Sequence, residues 1–177
     1  TSALAEAARS VSIGKSTNSS TDGVGIGTNA YGGGNTATSV GAHTDARSLE
    51  ATALGAWAQA WSGSGATAIA KSYASGSASL AAAIANNTSS YGATGANSIA
   101  MGYQAKASNS KGIAIGYQAQ AVNGSDGIAI GRSAKAYNNA ISIGQTGWGG
   151  GTNAAEGQGS IAIGQNNAAE KTASVII

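Results

Sequence analysis

The 177-residue chain has 28 Gly, no Pro, no Cys and no Phe; only 9% of its residues are charged, for a net charge of +2 at pH 7 and a pI near 9.0. These figures exclude disulfides and thiolate metal centres, a basic stripe for nucleic acid and, since no apolar run approaches 18 residues, a membrane-spanning helix. They also exclude a rounded globule: the 42% apolar share rests heavily on Ala, aromatics are 5%, and such small side chains fill an interior only if the body is thin.

From the N-terminus, one pattern recurs: an apolar residue or Thr, a small residue, a large aliphatic, then Gly or Ala. Val11-Ser12-Ile13-Gly14 and Val24-Gly25-Ile26-Gly27 come first. Thr38-Ser39-Val40-Gly41, Thr52-Ala53-Leu54-Gly55, Thr67-Ala68-Ile69-Ala70 and Ala82-Ala83-Ile84-Ala85 follow in weaker form. The clearest copies are Ile99-Ala100-Met101-Gly102, Ile113-Ala114-Ile115-Gly116, Ile128-Ala129-Ile130-Gly131, Ile141-Ser142-Ile143-Gly144 and Ile161-Ala162-Ile163-Gly164, and a twelfth begins at Val175-Ile176-Ile177. Most steps between Gly slots are 13 to 15 residues; those from 85 to 102 and from 144 to 164 are longer and place insertions near 86–97 and 145–159.

Alternation with period 2 and β-branched residues predict a strand at each copy. After each Gly slot comes a second alternating stretch, such as Tyr103-Gln104-Ala105-Lys106-Ala107, then a turn such as Asn123-Gly124-Ser125-Asp126-Gly127. Two short strands per coil make a flattened solenoid, and eleven stacked steps make a rod about 50 Å long. The expected core is Ile, Val and Leu from one wall against Ala from the other. The residue between the two aliphatics should then point outward. It is never large or charged, which predicts a face closely covered by another copy of the chain.

Catalytic and cofactor motifs fail on inspection. Gly14-Lys15-Ser16 ends like a phosphate loop, but Arg9 stands where the first Gly is needed; Gly23-Val24-Gly25-Ile26-Gly27 lacks dinucleotide spacing. His43 is the only His, no carboxylate pair is placed for acid–base work, and no metal or cofactor site is expected. Aromatic residues are more informative. Counted from the Gly slots, His43 and Trp57 share one outward position on adjacent coils, and Tyr31, Asp45 and Gln59 share another. Trp61 joins that face if its strand continues, and Trp148 lies in the longest insertion. Exposed aromatics often mark binding surfaces, so Tyr31, His43, Trp57, Trp61 and Trp148 are the candidate ligand contacts.

The run Asn97-Ser98-Ile99-Ala100-Met101-Gly102-Tyr103-Gln104-Ala105-Lys106-Ala107 resembles the head repeat of trimeric autotransporter adhesins of the YadA type. The resemblance extends from about Ala96 to Gly144 and returns at Ser160-Ile161-Ala162-Ile163-Gly164. Between Gly34 and Tyr91 the pattern departs, with Thr for the first aliphatic and Ala for Gly. It implies an all-β, left-handed parallel β-roll of about 11–12 two-stranded coils, assembled as a homotrimer, with residues 1–177 forming one head domain of a longer chain. Ala100, Ala114, Ala129, Ser142 and Ala162 become the candidate trimer-axis residues.

The same resemblance implies a non-catalytic virulence adhesin on the bacterial surface, held to the outer membrane by an anchor outside this segment. Its expected partners are itself, host matrix proteins and surface glycans. Similar repeats occur in phage tail fibres, so the alternative is a trimeric fibre segment recognising bacterial surface glycan. An ice-binding solenoid ranks last, because Thr38, Thr52 and Thr67 align over three coils only, and in a phase expected to face inward.

Overall fold

The computed structural model describes residues 2–5, 7–83, 85, 90–146 and 153–177. Within them the chain alternates between two twelve-stranded sheets, every neighbouring pair parallel. One sheet is built of two-residue strands from Leu4–Ala5 to Ala168–Ala169; the other, of mostly three-residue strands, runs from Val11–Ile13 to Val175–Ile176. No helix occurs among the described residues, and so none long and apolar enough to cross a membrane. The architecture is therefore a parallel β-solenoid of about twelve turns.

Register carries every sequence repeat onto the next. Thr38 pairs with Thr52, Thr52 with Thr67, Thr67 with Leu80 and Leu80 with Ile99, so the coils continue without interruption through the stretch that departs from the motif. Strand amides and corner amides alike donate to the preceding or following coil, as Gly55 N–H does to the Val40 carbonyl and Asp45 N–H to the Ala58 carbonyl. Buried backbone in a body this thin has no other partner to use.

The core differs from the one expected. The regular coils turn four small residues inward: Ala51, Ala53, Ala58 and Ala60 in one coil, Ser98, Ala100, Ala105 and Ala107 in another, all fully buried. The largest fully buried side chains are Asn153, Thr17 and Thr44. Inward hydroxyls are satisfied locally. Ser98 Oγ donates to the Gly95 carbonyl at 2.6 Å, and Ser39 Oγ to Thr44 Oγ1 at 2.8 Å.

Ala100, Ala114, Ala129, Ser142 and Ala162, expected on an outward face at a trimer axis, are thus interior residues with no exposure at all. The large aliphatics flank them on the outside, where Met101 is 39% exposed and Ile13 57%. The physical reason is thickness. Apart from Tyr91, which packs against the core, the described residues of the facing wall turn small side chains inward, and an inward Ile would hold the walls too far apart for those methyl groups to touch anything. Period-2 alternation permits either phase; matching the two walls permits one. Thr38, Thr52 and Thr67 turn outward with the aliphatics, half-buried, against the inward phase expected for them.

Two further departures concern frame. The sixth coil was expected at Ala82-Ala83-Ile84-Ala85, but its strand is Leu80–Ala82, with Ala81 inward and paired to Ala68 and Ala100. Ser79, whose Oγ donates to the Gly76 carbonyl as Ser98 does to Gly95, marks the true start; Ile84 lies outside the described residues. At the neighbouring corner, Leu54 is paired with Ile69 but Gln59 with Tyr73, so the chain rounds that corner with one residue fewer. In the regular coils the slot is Gly in a conformation such as φ +125° at Gly131, where an added Cβ would collide with the Gly144 carbonyl. Ala cannot take that conformation, so Ala70 and Lys71 turn instead with φ of 51° and 44°.

Candidate functional site

The outward positions of the two-residue strands align by register. Tyr31 stands beside Asp45, Asp45 beside Gln59 and Gln59 beside Tyr73. The next residues on, Arg47 and Trp61, form a parallel row, since Arg47 N–H donates to Ala60 and Trp61 N–H to Ala74 on successive coils. At the corner on the other side of the Tyr31 row, His43 and Trp57 stack with ring centroids 4.3 Å apart and planes at 12°. Asn29, one coil earlier, lies within 3.3 Å of the His43 ring through its Nδ2.

Arg47 ties the two rows together. Its Nε donates to both carboxylate oxygens of Asp45 at 2.9 Å, and a terminal nitrogen lies 2.8 Å from Oδ2. Its guanidinium carbon lies 4.5 Å from the Trp61 ring centroid and 5.7 Å from that of Tyr31. The hydrogen bond to Asp45 pushes the guanidinium pKa up, with partial burial opposing it. Cation–π contacts and a bidentate ion pair leave this side chain little freedom. Trp61 packs edge-on against Tyr73 at 6.0 Å; its backbone carbonyl accepts from Ser48 Oγ, while its indole N–H is buried with no acceptor among the described residues.

These groups enclose an open groove of about 500 Å3, lined by Ser16, Asn29, Tyr31, His43, Thr44, Asp45, Arg47, Trp57 and Gln59. Trp57 is 51% exposed and Tyr31 41%. On the side of the following coils Trp57 also borders an apolar hollow with Ala56, Ala70, Lys71, Ala83 and Ala85. That hollow exists because the shortened corner supplies no further ring to continue the stack.

Four sequence-level candidates therefore come together. Tyr31, His43 and Trp57 line the groove, and Trp61 supports Arg47 beside it. Trp148 lies outside the described residues. Arg47 was missed, although it occupies the same position after its strand as Trp61, one coil away; that equivalence was the available signal. A second aromatic pair was also missed. Tyr103 and Tyr117 stack at 5.2 Å and 12°, with Gln118 donating to Gln104 at 2.8 Å beside them. Among the described residues, no three His, Asp or Glu side chains converge in a metal-binding group.

Residues 93–121 and 155–175 each match the YadA head domain repeat. These stretches include the coils with the most regular small-residue core and aliphatic exterior. No curated protein matches the chain.

Proposed function

From a chain that is a YadA-like head, we propose a non-catalytic cell-surface adhesin that presents its outward side chains to host matrix, cells or other surfaces as a homotrimer of left-handed rolls. The observation that carries the reading is the exposed aliphatic exterior of the three-residue strands. Two rows, Ile99-Ile113-Ile128-Ile141 and Met101-Ile115-Ile130-Ile143, run side by side along the rod. Contiguous apolar surface of that length is rare on a monomer and favours burial against another chain. The trimer contact is therefore moved from the small residues to these aliphatics, on the sheet opposite the aromatic groove.

The test is assembly and attachment together. The 177-residue chain should sediment as a trimer and bind cells or immobilised matrix proteins. Ile115→Asn with Ile130→Asn should give a monomer that keeps its β-sheet circular dichroism, because both side chains lie outside the core. A double variant that remains fully trimeric would overturn the contact surface. Wild-type protein that attaches to no cell, matrix protein or bacterial surface would overturn the adhesin reading, and attachment confined to bacterial envelopes would favour the fibre reading instead.

A further inference from the structure

The groove beside Trp57 has a composition that narrows what it can hold. One cation and one anion line it, Arg47 and Asp45, and they are paired with each other. Those two charges cancel, so the pair does not call for an ionic ligand. The remaining polar groups are hydroxyls and amides, from Ser16, Asn29, Thr44 and Gln59, which both donate and accept. Apolar walls come from Tyr31 and from the His43–Trp57 pair. Small-molecule sites commonly combine aromatic walls with a few convergent polar groups in this range of volume.

The groove also lies on the face of a sheet and not at its edge. The backbone groups beneath it are already spent between coils: Tyr31 N–H on Thr44, Asp45 N–H on Ala58, Arg47 N–H on Ala60. An extended peptide could not add to them as a strand. A ligand must be held through side chains alone, by groups suited to hydroxyls and to a flat apolar face.

Conformation points to the same place. At the equivalent corner position other coils have Ser16, Asn29, Gln104, Gln118 or Ser133, with φ of 53° to 56°; the groove has His43 at 56° and Trp57 at 62°. A bulky aromatic is disfavoured in this left-handed region, whereas Asn is tolerated there. Among the described residues His43 and Trp57 are the two that set an aromatic ring at such a corner, and they do so side by side.

We propose that this groove binds a neutral saccharide, its C–H face against Tyr31 and the His43–Trp57 pair and its hydroxyls on Asp45, Arg47, Asn29 and Gln59. The inference rests on the adhesin reading and supplies its ligand class. Three copies on one trimer would turn weak sites into firm attachment.

The test uses the purified 177-residue chain on an array of neutral oligosaccharides, sialylated and sulfated oligosaccharides, and triple-helical collagen peptides. Neutral oligosaccharides should bind. Trp57→Asn should lower their affinity roughly tenfold or more, while Tyr103→Ala, distant from the groove, should not. Asn suits the backbone at 57, so Trp57→Asn is expected to keep its melting temperature; Asp45→Ala gives a second variant, which removes a hydroxyl acceptor from the groove. No neutral binding, binding unchanged in both groove variants, or preference for acidic glycans or collagen peptides would each overturn the proposal. Cell attachment measured in parallel separates the two readings. Attachment without saccharide binding sinks the groove alone, and saccharide binding without attachment sinks the adhesin reading alone.

Discussion

Ala129 and Ile115 show how far side-chain size is decoupled from burial in this molecule. Ala129 is fully enclosed between walls that have only methyl and hydroxymethyl groups to offer, so Ala129→Leu should destabilise the fold by about 3 kcal/mol or more, at the upper end of overpacking costs. Ile115 is half-buried on the outside. In a monomeric background Ile115→Ala should cost less than the roughly 2–5 kcal/mol of a fully buried Ile. Urea denaturation of both variants, on the Ile130→Asn background if needed to suppress assembly, checks the pair. The reverse order of sensitivity would mean that the aliphatics face the core. Sequence alone exposed the alternation and the unvarying smallness of the middle residue. Its phase was misread because a row of small residues can equally be a tight interface or a thin core, and only the facing wall of Ala105 and Ala107 decides.

At the scale of one coil, strands, turns and the row Tyr31-Asp45-Gln59 were legible because they follow from counting residues between Gly slots. Counting fails where Ala occupies consecutive positions. Leu80-Ala81-Ala82-Ala83-Ile84-Ala85 reads as a coil in two frames, and hydrogen bonding by Ser79 selects one of them. It fails again at Ala70, where the loss of Gly shortens the corner and ends the His43–Trp57 stack. Arg47 escaped notice because its role depends on a reach across coils to Asp45, Trp61 and Tyr31, which no spacing rule encodes. Since each coil touches chiefly its neighbours, stability should be divided among coils. Removing residues 102–115 joins Met101 to Gly116 in register. The shortened chain should keep its sheet signature in circular dichroism and lose only a few degrees of melting temperature, about one coil's share. Collapse to an unfolded chain would show a concentrated core instead.

For the whole molecule, the two faces of the solenoid differ in chemistry. The three-residue strands present hydrocarbon, and the two-residue strands carry the polar and aromatic groove. An assembly held by the hydrocarbon face should be nearly indifferent to ionic strength, because screening weakens exposed charge pairs and leaves apolar contacts intact. If the chain assembles as proposed, sedimentation in about 1 M NaCl should therefore still give the trimer, and dissociation by salt would point to charged contacts between chains instead.

Coils as alike as those at Ile99, Ile113 and Ile128 raise a problem of alignment. A strand there would find a nearly equivalent partner one full coil too early or too late, with three Ala residues again turned in beside a Ser or Gly and the equivalent amides paired. The irregular places prevent this. The abbreviated corner at Ala70 and the long steps from Leu80 to Ile99 and from Ile141 to Ile161 occur once each, and a chain slipped by a coil would have to accommodate all of them in the wrong place. They act as registration marks along an otherwise periodic ruler, so the departures from the repeat make the repeat fold in a single frame.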